Sequence, residues 1–233
     1  MLKKLKGYFL PQDFIIWGTS VALILASFFI FKGSDPLSLT TSLIGVTALL
    51  FCAKGSPIGQ IIIIIFALLY GIISYRFGYY GEMLTYVCMS LPMAVLSLIS
   101  WFKNPFKKGS LEVRVSKIKK RDIPLIAILA ILVTTVFFFL LKYLGTANLI
   151  PSTFSVATSF VAVFLTYKRS PYYAAAYAVN DIVLIVLWSL ASATDTKYLT
   201  VVFCFVAFLL SDLYTFICWR RMEKKQAMES SVK

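Results

Sequence analysis

KGSPIGQIIIIIF at 54–66 and KRSPYYAAAYAVN at 168–180 carry one signal twice: a basic residue, a Ser-Pro pair and an apolar run, 114 residues apart. Proline suits the first position of a helix, where its missing N–H would be unbonded anyway, and Lys collects in short loops on one side of a membrane. Each feature is common alone. In the same order at matching places, they point to a duplicated unit. The units also end alike, with WFKN at 101–104 and WRRM at 219–222, a Trp followed by a basic stop.

Composition sets the solvent. The chain is 60% hydrophobic and 16% aromatic with only 14% charged residues, and its mean hydropathy is +0.85, far from the make-up of a soluble domain. A hydrocarbon core of about 30 Å needs about 20 mainly apolar residues per helix. Eight such spans are expected, at 14–31, 37–53, 58–75, 82–102, 123–144, 151–167, 172–193 and 198–218. The segments lack the ten-residue alternation of a β-barrel. The opening MLKKLKGYFLPQDF followed by WGTSVALILASFFIFK has the basic-then-apolar order of a signal peptide, but the apolar stretch is long and no small-x-small site precedes Lys32. It is read as a helix. The chain has no histidine, and Cys52, Cys88, Cys204 and Cys218 all fall inside spans, so neither a metal, a disulfide nor a cofactor is expected.

Of the 23 Lys and Arg, 19 fall on one side if the N-terminus is cytoplasmic, leaving only Lys32, Arg76, Lys142 and Lys197 outside. Positive charge retained in short inner loops supports an even number of spans with both termini inside. The same bias accounts for the net charge of +13 without nucleic acid. The loop KNPFKKGSLEVRVSKIKKR is read as topology signal plus lipid headgroup contact. The fold class is therefore all-α and integral to the membrane: residues 1–36 hold a tail and an extra helix, 37–102 a first three-helix repeat, 103–122 the basic loop, 123–150 a linker helix, 151–219 a second repeat and 220–233 a basic tail. Three spans reverse the side of the chain and the linker restores it, so the repeats run parallel, with a substrate site expected between them.

Polar groups inside the spans are the candidate site. A carboxylate at helix centre costs about 2.5–3.5 kcal/mol on insertion scales and belongs in the bundle interior. Tyr173, Tyr177, Asn180 and Leu184 follow i, i+4, i+7, i+11 along one face, with Asp181 and Trp188 a step around. Asp212 and Tyr214 lie in the last span, and Glu82 and Tyr86 at the start of the fourth. Each has a plainer reading beside the functional one: Asn180 as interhelical glue, Glu82 as a helix N-terminal charge, Trp188 as a belt residue. Trp17, Trp101 and Trp219 are read as interfacial anchors.

KGSP, YGIISYRFGYYGEMLTY and SLPMAVLSLISWFKNP, then PSTFSVATSFVAVFLTYKRSPYYAAAYAVNDIVLIVLWSLA and VAFLLSDLYTFICWRRMEK, resemble the PnuC family of nicotinamide riboside transporters, relatives of the SWEET architecture, over about residues 35–225. The resemblance implies a 3+1+3 fold, a homotrimer, and facilitated diffusion of a vitamin-precursor nucleoside that a cytoplasmic kinase traps by phosphorylation. The family's W-x-x-W-x-x-x-N asparagine falls on Asn180, but its tryptophans fall on Tyr173 and Ala176, its first-half asparagine on Phe66, and a glutamine near Tyr86. Another nucleoside, a thiamine-like vitamin, or a role as the substrate-capturing subunit of a larger transporter are the other readings. An enzyme is excluded by the want of a histidine, a G-x-S-x-G or paired acids at helix spacing.

Overall fold

The structure is a computed structural model that describes residues 8–31, 35–146 and 148–231. Among these, eight helices are long and apolar enough to cross a membrane: α1 (Pro11–Ile30), α2 (Pro36–Ala53), α3 (Pro57–Arg76), α4 (Tyr80–Lys103), α5 (Asp122–Tyr143), α6 (Leu149–Tyr167), α7 (Tyr173–Ser192) and α8 (Leu199–Ser231). Of the basic residues counted above, Lys3, Lys4, Lys6, Lys32 and Lys233 lie outside the described residues.

The Ser-Pro pairs act as written in the sequence. Ser56 Oγ accepts from Ile58 N at 3.4 Å and Ser170 Oγ from Tyr172 N at 3.3 Å, so each serine satisfies a helix-start N–H two residues on. The turns before them also match. Ser56 N donates to Phe51 O and Ser170 N to Leu165 O, and the residues at the bend, Gly55 (φ 64°) and Arg169 (φ 56°), are both left-handed. Glycine meets that conformation at no steric cost, whereas an arginine is strained there. Arg169 is held by its own head group, with Nη1 donating to Ser100 Oγ at 2.6 Å and Nε to Arg114 O at 3.2 Å.

Packing follows the same duplication. Within the halves α2 packs on α3 and α3 on α4, while α6 packs on α7 and α7 on α8; between them α2 packs on α8 and α6 on α4. The first helix of each half thus meets the third helix of the other, the pairing a two-fold axis along the bundle produces. α1 lies against α8 and α2, and α5 lies against α6. The α1 attachment is polar: fully buried Asp13 pairs with Lys54 Nζ at 2.6 Å and accepts from Tyr214 OH at 2.6 Å, and Ser20 Oγ meets Ser211 Oγ at 3.2 Å. The apolar window of α5 is not buried at all. An all-round apolar helix left outside the bundle is solvated by lipid tails.

Two details were not legible beforehand. α4 opens by one residue per turn over Thr85–Ser90, a π-helical stretch ahead of Pro92; proline removes an N–H and crowds the carbonyl four residues back, and the wider turn absorbs both. α8 also does not stop at the basic residues 220 and 221 but runs unbroken to Ser231. α2 and α3 cross closely at Gly59, where an added Cβ would come within 2.5 Å of Cys52 Sγ and 2.8 Å of Cys52 N. Because one of those atoms is backbone and cannot rotate aside, Gly59→Ala is expected to destabilise the fold by about 1–3 kcal/mol. A lower midpoint in detergent thermal unfolding reads it; an unchanged midpoint would show that the helices slide apart freely.

Candidate functional site

Between the halves lies a buried cavity lined by side chains of α2, α3, α4, α6, α7 and α8, leaving about 70 Å³ in which the centre of a water molecule fits. That is room for several waters by the usual measure of one to each 10–15 Å³ or so. Positions 114 apart in the first two helices of each half line it in pairs: Gly45 and Ser159, Leu49 and Val163, Cys52 and Thr166, Ile63 and Tyr177, Phe66 and Asn180, Ala67 and Asp181. In the third helices the spacing is 118, and Ser90 and Phe208, Ala94 and Asp212 are such pairs.

The side chains that carry charge or an amide come mostly from α7 and α8. Asp181 and Asp212 are both buried and both line the cavity. Asp181 Oδ2 and Asp212 Oδ1 have no partner at hydrogen-bond geometry among the described residues. Two acids on one buried wall favour a cation in the space between the helices. Asn180 Oδ1 is occupied, accepting from Thr158 Oγ1 at 2.7 Å and Ser159 Oγ at 2.9 Å. Those two bonds fix the amide plane and leave its Nδ2 donor for whatever fills the cavity. No Lys or Arg is among the lining residues.

Aromatic rings close both ends. Toward the end away from the K-x-S-P loops, Phe66 stacks on Tyr70 at 5.6 Å and meets Phe208 at 5.6 Å, while Tyr70 and Tyr86 lie 4.4 Å apart. Toward the basic end, Tyr173 packs against Trp219 at 4.8 Å and Trp101 at 6.3 Å, and its hydroxyl donates to Cys52 O at 3.3 Å. Trp101 and Trp219 are fully buried here rather than anchored at the interface. An indole enters an apolar core when its N–H finds an acceptor; Trp219 Nε1 donates to Cys52 O at 2.8 Å and Trp101 Nε1 to Thr166 O at 3.0 Å.

Of the residues expected from the sequence, Tyr86, Tyr173, Tyr177, Asn180, Asp181 and Asp212 are brought together on the cavity wall. The other four lie elsewhere. Leu184 is buried in the apolar core beyond the cavity. Trp188 packs among Tyr79 at 4.5 Å and Tyr198 at 5.6 Å near the far end of α7. Glu82 is buried beside Ser155 of α6, and Tyr214 faces α1 through Asp13. Missing from the sequence reading is Gln60, a lining residue whose Nε2 contacts Cys52 Sγ at 3.6 Å. A lone amide ahead of IIIII was signal enough to include it.

Comparison with known proteins points to membrane transporters. The nicotinamide riboside transporter PnuC of Neisseria mucosa is 25% identical over 216 residues, covering 91% of this chain and 82% of that protein. A solved structure described as the vitamin B3 transporter PnuC shares the fold with a TM-score of 0.80 at 22% identity, covering 94% of each chain. Residues 35–221 match the family described as nicotinamide mononucleotide transporter, and the chain belongs to that family of membrane transporters.

Proposed function

We propose that the protein carries nicotinamide riboside, a nucleoside with a positively charged pyridinium ring, down its gradient through the cavity between the two halves. The observation that supports this reading best is the cavity wall: two buried carboxyl groups, Tyr86, Tyr173 and Tyr177, one oriented amide, and no cationic side chain. A cation is favoured there twice, by the acids and by ring faces that contribute about 0.5–2 kcal/mol per good contact. A mononucleotide, the substrate in the family's description, would bring a phosphate that asks for Arg or Lys partners. The curated relative is named for the riboside, in line with that chemistry. Thiamine-like cations are the second reading, since the acids and tyrosines of the same wall suit them as well.

In this reading 37–102 and 151–219 are the two transport repeats, 123–150 links them, and α1, within the segment 1–36, braces α8 and α2. The end bearing Lys54, Lys168, Arg169 and the loop 103–122 faces the cytoplasm, together with both termini, as retention of positive charge requires. A homotrimer in the cytoplasmic membrane and a cytoplasmic nucleoside kinase that phosphorylates the imported substrate complete it, both implied by the family resemblance; the mass of the complex in detergent tests the first.

Proteoliposomes decide the substrate. Labelled nicotinamide riboside is expected to enter without ATP or an ion gradient, at least about tenfold faster than the mononucleotide, the margin that 1.4 kcal/mol of selective binding provides. Equal uptake of the two would overturn the reading. Asp181→Asn and Asp212→Asn are expected to weaken the cationic nucleoside more than a neutral one such as uridine.

Calorimetric titration separates the two readings of Asn180. Replacing it with Leu removes the Nδ2 donor and is expected to weaken the nucleoside by about 1–3 kcal/mol, roughly tenfold to a hundredfold. Thr158 Oγ1 also bonds Phe154 O and Ser155 O of its own helix, but buried Ser159 Oγ loses its bond to the amide, so a modest loss of thermal stability is expected beside the loss of affinity. Unchanged affinity with lowered stability would assign Asn180 to helix packing.

A further inference from the structure

The basic loop that looked like a topology signal crosses the end of the bundle as an extended strap. Val113 N donates to Gly55 O at 3.0 Å and Ser116 N donates to Arg169 O at 3.0 Å. Gly55 and Arg169 are the matching left-handed residues of the two K-x-S-P turns. One short piece of chain therefore bonds the same backbone atom in both halves. Val113 is itself buried in the cluster that contains Trp101, Tyr173 and Trp219. Moving outward from the cavity, the pathway meets Tyr173 and Cys52, then the two indoles, then Val113.

What holds the strap is a residue that the cavity does not contain. Gln226, on the extension of α8 and 5% exposed, accepts from Val115 N at 2.9 Å and donates to Val113 O at 2.9 Å and Glu112 Oε1 at 2.8 Å. Its amide pairs with the strap backbone as a neighbouring strand would. The strap is also tied by Arg114 N to Asn104 O at 2.8 Å and by Arg169 Nε to Arg114 O at 3.2 Å, whereas the ion pairs of Lys225 with Glu112 at 3.5 Å and Lys107 with Glu229 at 2.5 Å involve half-exposed lysines and contribute little in water.

We propose that residues 112–118 are a latch across the two halves that closes the basic end of the transport pathway, with Gln226 as its positioning residue. Separating the halves at this end moves Gly55 away from Arg169, and the strap cannot keep both bonds. Discharge of substrate on this side therefore requires release of the latch. The proposal rests on the cavity being the transport route, whichever nucleoside it carries.

Cys52 reports on the latch, because it lines the cavity directly beneath it. In a chain with Cys88, Cys204 and Cys218 changed to Ser, inside-out and right-side-out vesicles are treated with a membrane-impermeant maleimide. Gln226→Ala is expected to raise Cys52 labelling about tenfold from the basic side alone, as a shift of 1.4 kcal/mol in a two-state opening would. Nicotinamide riboside affinity in detergent should stay within about twofold, since no cavity contact is touched. Equal labelling with and without Gln226 overturns the proposal. A second variant settles the matter if Gln226→Ala folds poorly. Oxidation of a chain that carries both pairs, Val113→Cys with Gly55→Cys and Ser116→Cys with Arg169→Cys, ties the strap to both halves and is expected to stop transport reversibly while substrate still binds; full transport by the doubly cross-linked protein overturns the latch. If the cavity were not the route, the riboside would fail to bind even the parent chain, a result distinct from either.

Discussion

Everything at the basic end of the molecule depends on a single constraint: the last carbonyls of α2 and α6 lie in an apolar bundle and need partners. Each turn satisfies some of them internally, through Gly55 N to Cys52 O and Arg169 N to Thr166 O. The second lone pair of each carbonyl takes an indole N–H from the last helix of the opposite half. That exchange joins the halves crosswise. It also draws two large rings into the axis, which leaves the cavity above them and a floor of tryptophan beneath.

Much of this was visible in the letters. K-x-S-P marked the two turns, and the Trp-plus-basic endings marked the two partner helices. What could not be read was that these features touch. Trp101 and Trp219 carry the ordinary signature of interfacial anchors, and only the crosswise packing of α2 on α8 and α6 on α4 turns them inward. Gln226 was hidden for a similar reason. In RRMEKKQAME it reads as one polar residue of a solvated basic tail, and its value appears only once the loop 103–122 folds back within reach.

The site divides along the same line. Tyr173, Tyr177 and Asn180 were legible because a helix repeats its face every three to four residues, and the acids because charge is expensive in a membrane. Helical phase says nothing of depth along the axis, however. Leu184 and Trp188 continue the face of α7 but sit beyond the cavity, in the apolar and aromatic layer that covers its other end. Tyr214 and Glu82 were expected for their polarity. Tyr214 is used instead to fasten α1 through Asp13, and Glu82 is buried in α4 away from the cavity wall.

A two-fold scaffold would by itself give a two-fold cavity, which cannot hold an asymmetric molecule in one orientation. The paired lining positions show how the chain escapes this. Where the first half places Ile63, Phe66, Ala67 and Ala94, the second places Tyr177, Asn180, Asp181 and Asp212. At these paired positions the first half is apolar and the second offers hydroxyl, amide and acid. The halves stay alike at the turns and the indole bonds. Symmetry is thus kept in the scaffold that joins the halves, and lost in the wall of the cavity.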